Sequence, residues 1–188
     1  LGDGYTAADM PRFRAHVDKH LNIMWSLEPF RSYRNYINVY AVEIVSGQSG
    51  ITCDPEVREP RTTPLGMQFG GGCQNSNARG ITGDNDAART YARMATPNFD
   101  QILVITNTDT YGGIGGGIAT TSGGNALGPY ITPHEIGHSL GRLQDEYTYS
   151  ARGRPGPANT RTEEPNSIHM TLLTEEQVAV WFPEIPLP

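Results

Sequence analysis

The segment His134-Glu135-Ile136-Gly137-His138 constrains this chain more than any other feature, because its two histidines can act together only from a helix. Four positions apart on an α-helix they project from one face, one turn apart, and both imidazoles can reach a single metal ion. A glutamate directly after the first histidine points toward the same cleft without being a ligand. It can take a proton from metal-bound water and pass it to a leaving amine. The pattern assigns His134 and His138 as ligands of a Zn2+ ion and Glu135 as the catalytic base.

The chain carries its own control. His16-Val17-Asp18-Lys19-His20 repeats the histidine spacing but lacks the glutamate. Those histidines flank an apolar stripe of Met10, Phe13, Val17, Leu21 and Met24, which predicts a first helix over about residues 7–27. They are expected to be surface histidines rather than a metal site.

Around the second motif, Thr132 is placed to cap a helix and Pro133 suits its first position. Thr132 and Glu135 also have capping-box spacing, which gives Glu135 a purely structural alternative role. Gly141, three residues after His138, is expected to adopt a left-handed conformation and turn the chain back under the metal.

His-Glu-x-x-His-x-x-Gly is the start of the metzincin signature, in which a third ligand follows the turn. Here the sequence departs from that signature. Gln144 occupies the third-ligand slot and is a poor zinc ligand, whereas Asp145 and Glu146 follow at once and His169 stands further on. Asp145 is the preferred third ligand, with His169 and Glu146 as alternatives.

The stretch from His134 to Tyr147, His-Glu-Ile-Gly-His-Ser-Leu-Gly-Arg-Leu-Gln-Asp-Glu-Tyr, resembles the bacterial immunoglobulin-A-peptidase-type metallopeptidases. Gly2-Asp3-Gly4-Tyr5-Thr6 and Asn107-Thr108-Asp109-Thr110-Tyr111-Gly112-Gly113 resemble that family's opening and the segment before its zinc helix. The resemblance implies a metzincin-like α/β peptidase acting outside the cell. It supports His134, Glu135 and His138, and it gives weight to Asp145 or Glu146. Cleavage of immunoglobulin A is not implied, since that substrate belongs to a larger namesake. Met170 is a candidate for the methionine turn that metzincins place beneath the zinc.

The remaining elements predict an α/β domain spanning 1–188: a mixed sheet, packed helices and an active-site helix. Asn35 to Val45 is rich in β-branched and aromatic residues and reads as a strand. Asp84 or Asp86 can cap a helix from Ala87 to Met94, a better reading of that acidic cluster than calcium binding. Ile102-Leu103-Val104-Ile105 reads as a strand buried on both faces. The glycine run 112–117 lacks the ending of a phosphate-binding loop and suits backbone beside a cleft. A short strand is expected at Ile118-Ala119-Thr120, and an edge strand near Gly115 to Thr120 is expected to roof the cleft and pair with substrate.

A net charge of −6 argues against nucleic-acid or anionic-membrane partners. Cys53 and Cys73, the only cysteines, are expected to form a disulfide, which fits a secreted protein. The N-terminus does not read as a signal peptide, so a leader would already have been removed, and 183–188 reads as an irregular tail. The sum is a monomeric, extracellular bacterial zinc endopeptidase acting on proteins or peptides by Glu-assisted attack of zinc-bound water. The competing readings are a binding module stabilised by structural zinc and a zinc amidase acting on a non-protein amide.

Overall fold

The computed structural model describes residues 1–74, 79–143 and 145. The chain divides into two units, Leu1–Gly141 and Arg142–Pro188. Every element named below belongs to the first unit, and of the second only Arg142, Leu143 and Asp145 are described. Gln144, Glu146, Tyr147, His169, Met170 and residues 183–188 lie outside the described residues.

Strand β1 (Gly2–Asp3) leads into helix α1 (Met10–Met24), then a single turn, α2 (Phe30–Tyr33). Strands β2 (Gln68–Phe69) and β3 (Ile81–Thr82) form an antiparallel pair, followed by helix α3 (Asn85–Ala95). Strands β4 (Leu103–Thr106), β5 (Gly113–Ile114) and β6 (Ala119–Ser122) precede helix α4 (Gly128–Ser139). The main sheet has the order β1-β4-β6-β5; β1 and β6 run parallel to β4, and β5 runs antiparallel to β6. This is the mixed α/β arrangement the sequence predicts.

Period-two alternation along the inner strands assigns the two faces of the sheet. Val104 packs with Ala88 and Ala92 of α3 and with Phe69 and Ile81 of the small sheet. Its neighbours point the other way: Ile105 packs with Phe13 of α1, and Leu103 with Met24 and Ile136 of α4. On β6, Thr120 donates its hydroxyl to the Ile81 carbonyl (2.7 Å), while Thr121 donates to the Gly128 carbonyl at the start of α4 (3.1 Å). Ala119 and Thr121 are small, so α4 can lie close on that face. Helices α1 and α4 therefore share one face of the sheet, with α3 on the other.

Asp84 caps α3, its carboxylate accepting from the backbone N–H groups of Asp86 and Ala87 at 2.9 Å each. Cys53 and Cys73 are joined as a disulfide, as expected. Closing a loop with a sequence separation of 20 restricts the unfolded chain by about 3 kcal/mol on the chain-entropy model. Among the described residues no helix is long and apolar enough to cross a membrane.

Two expectations fail. The strand expected over Asn35–Val45 does not form: Asn35 and Tyr36 lie in a 3-10 turn, Val39 and Tyr40 are exposed, and burial begins only at the far end, at Ile44. Its one backbone bond to the first strand region runs from the Ser46 N–H to the Tyr5 carbonyl. A β-branched run needs a partner edge along its length, and no described strand pairs with this one. The expected edge strand at Gly115 to Thr120 is also displaced. Ala119–Ser122 sits inside the sheet between β4 and β5, and the edge is Gly113–Ile114.

Candidate metal centre

Helix α4 begins at Gly128, earlier than Thr132. Asn125 starts the turn, its side-chain oxygen accepting from the Leu127 N–H and its carbonyl from the Gly128 N–H. Gly128 is required by space: a β-carbon there would lie 2.2 Å from the Ser122 carbonyl oxygen and 3.1 Å from His20 Cε1. Thr132 is consequently an interior residue, and Pro133 lies inside the helix rather than at its first position. Having no N–H, Pro133 cannot bond the carbonyl four residues earlier. The Thr132–Glu135 capping box therefore does not form.

His134 and His138 stand one turn apart on α4, and their Nε2 atoms are 3.2 Å from each other. The rings meet edge to face, centroids 4.7 Å apart and planes at 83°. Two nitrogens bound to one tetrahedral zinc at about 2.0–2.1 Å would lie about 3.3 Å apart. The pair therefore fits the spacing that two ligands of one ion require. His134 is exposed and His138 half-buried, whereas Glu135 is only 9% exposed.

Edge strand β5 and the glycines after it press directly on this helix. A β-carbon at Gly115 would fall 2.5 Å from His138 Cβ, 2.6 Å from the Glu135 carbonyl oxygen and 3.2 Å from a Glu135 carboxylate oxygen. At Gly113 it would meet Ile131 Cγ2 at 2.6 Å and Glu135 Cγ at 3.4 Å. The glycine run is thus a close-approach surface over the histidine–glutamate face. Ser139 closes the C-terminal turn, donating to the Glu135 carbonyl (2.9 Å) and accepting from the Gln101 amide (2.8 Å).

The family model described as IgA Peptidase M64 matches residues 1–185. The chain belongs to the IgA peptidase M64 family. No curated protein matches it. As a member of M64, a metallopeptidase family, the chain is a peptidase, and the His134–His138 pair has the spacing that two ligands of one metal ion require.

Within this M64 domain, other sequence readings require correction. His16 and His20 are not surface residues: they are 9% and 0% exposed. His16 Nδ1 meets the Tyr5 hydroxyl at 2.8 Å. His20 Nδ1 meets the Thr132 hydroxyl at 2.7 Å, and its Nε2 meets the Gly123 carbonyl at 3.2 Å. Burial pulls both imidazoles down to about 4, helped at His16 by the Arg12 charge. Gly141 does not take a positive φ; the left-handed residue is Arg142, at 53°. Asp145, the expected third ligand, belongs to the second unit and is half-buried.

The sequence did not reveal the role of Gly115 or the link from His20 to Thr132. The spacing of the glycine run hinted at the first. Nothing local signalled the second, since its partners are 112 residues apart.

Proposed function

We propose that this chain is a secreted zinc endopeptidase in which His134, His138 and Asp145 hold a Zn2+ ion and Glu135 is the general base. The observation that carries the reading is the 3.2 Å separation of the two Nε2 atoms, with a buried glutamate between them on the same helix. Two imidazoles and a carboxylate are a donor set of the kind found at catalytic zinc, which keeps a fourth position open. Asp145 stands four residues beyond Gly141, a span of up to about 13 Å of chain, enough to return a carboxylate toward the helix end.

When bound, zinc supplies a lowered pKa for water and polarisation of the scissile carbonyl. Glu135 takes the proton of the attacking water and returns it to the leaving amine. No side chain attacks the carbonyl, so no acyl-enzyme forms.

An extended substrate lies along the edge at β5, pairing through backbone hydrogen bonds. The Gly113 N–H is already given to the Arg79 carbonyl (2.9 Å), so pairing falls to the residues after Ile114. There, Gly115 brings the backbone against Glu135 and His138. The disulfide and the net charge of −6 support an extracellular enzyme of protein or peptide substrates rather than a nucleic-acid binder.

Glu135→Ala tests the mechanism. Peptide hydrolysis is expected to fall by about 10²–10⁴-fold, with the zinc content of the chain unchanged. Wild-type activity in that variant contradicts it.

A further inference from the structure

Helix α4 receives little help from its own sequence in fixing its position. Its N-cap residue, Leu127, offers no side-chain cap, and Pro133 removes an internal hydrogen bond. Its setting must come from outside.

Helix α1 provides it. His16 and His20, one turn apart, both face the bend at Gly123 that joins β6 to α4. A β-carbon at Gly123 would lie 2.4 Å from His16 Nδ1 and 2.4 Å from the Tyr5 hydroxyl, so the bend fits tightly beneath the pair. Gly123 is held from the other side as well, its N–H donating to the Thr106 carbonyl (2.9 Å).

The proton positions in this network follow from its members. The Gly123 carbonyl can only accept, so His20 Nε2 carries a proton. Burial keeps the ring neutral, which leaves Nδ1 as an acceptor, and the hydroxyl proton of Thr132 goes to it. Thr132 is fully buried and lies on α4 two residues before His134 and three before Glu135.

We propose that His20 is a positioning residue for the catalytic helix. By donating to Gly123 and accepting from Thr132 it fixes both the height and the rotation of α4, and so the placement of His134, Glu135 and His138. The inference rests on the zinc reading above. Displacements of about 1 Å at a site cost about 10²-fold in rate, so a fixed helix setting matters to chemistry as well as to folding.

The test uses the whole chain with four variants: Thr132→Val, Thr132→Ser, His20→Ala, and His20→Ala with Thr132→Val. Zinc affinity is measured by chelator competition, the site geometry by the visible spectrum of the Co2+-loaded protein, and kcat and KM on a peptide. Thr132→Val keeps the side-chain shape and removes only the hydroxyl. It is expected to weaken zinc binding about tenfold, to alter the Co2+ spectrum, and to lower kcat with KM little changed. Thr132→Ser, which restores the hydroxyl, should stay within about twofold of wild type. The double variant should lose no more than the worse single one, because both remove one interaction.

If His20→Ala fails to fold, the Thr132 pair decides. Wild-type zinc affinity, spectrum and kcat in Thr132→Val overturn the positioning role and leave the zinc reading standing. A wild-type chain that binds no zinc overturns both.

Discussion

On α1, His16 and His20 stand one helical turn apart; on α4, so do His134 and His138. The first pair is buried, held neutral, and spent on protein partners: Tyr5, Thr132 and the Gly123 carbonyl. The second pair turns its Nε2 atoms toward each other at 3.2 Å, with a buried glutamate on the same face and a glycine-lined strand edge over it. Spacing alone does not make a metal site. What separates the pairs is whether the ring nitrogens converge on one point or each find a separate partner.

The comparison breaks first under substitution. His134→Ala and His138→Ala should each remove both bound zinc and measurable peptide hydrolysis. His16→Ala should retain zinc and activity while losing about 1–3 kcal/mol of stability, since it leaves the buried Tyr5 hydroxyl without its imidazole partner. Zinc content and urea unfolding of the three variants check this, and zinc loss in His16→Ala would erase the distinction.

Next in size is the third ligand. Asp145→Asn should raise the zinc Kd by at least about tenfold, since even residues that only support a ligand cost that much. Glu146→Gln and His169→Ala should change it less. A larger loss in His169→Ala assigns the position there instead.

Gly115→Ala should follow, lowering kcat/KM by about 10–100-fold, because its β-carbon has no room beside His138 and Glu135. Gly116→Ala, which meets nothing within 4 Å, is the matched control and should be near wild type.

Acid sensitivity from the first pair is a separate effect, read in stability rather than in activity. An unfolded histidine takes up its proton near 6.5, whereas burial pulls His16 and His20 down to about 4. As pH falls from about 6.5 toward 4, the unfolded chain binds protons that the folded one refuses, and stability drops. Above that window both states carry neutral rings and the contribution is complete. The loss is on the order of 2–3 kcal/mol per ring. Urea midpoints of metal-free protein at pH 7 and 4.5 check it; no decline would mean that both rings stay accessible to protons.

These effects map onto what could be read from the residues alone. The His134–His138 helix, the apolar stripe of α1, the Asp84 cap of α3, the strand at 103–106 and the Cys53–Cys73 pair were legible, because each is set by local spacing, chemistry or composition. Strand β1 was not, since Gly2 and Asp3 have little strand propensity and are held by pairing with Ile105 and Thr106. The burial of His20 was equally hidden. Its partners come from the bend after β6 and from α4, more than 100 residues away, and a polar side chain at the margin of a stripe reads as surface until they arrive. The start of α4 was misplaced because Pro133 looks like a first-turn residue, whereas Pro129 holds that place. The left-handed turn falls on Arg142 rather than Gly141, one residue later than glycine preference indicates.

The most direct test is anomalous diffraction at the zinc edge from crystals of the zinc-loaded chain. The account predicts a peak about 2.0–2.1 Å from Nε2 of both His134 and His138, with a carboxylate oxygen of Asp145 completing the protein ligands. No peak at that pair, or a peak beside His16 and His20 instead, would contradict it.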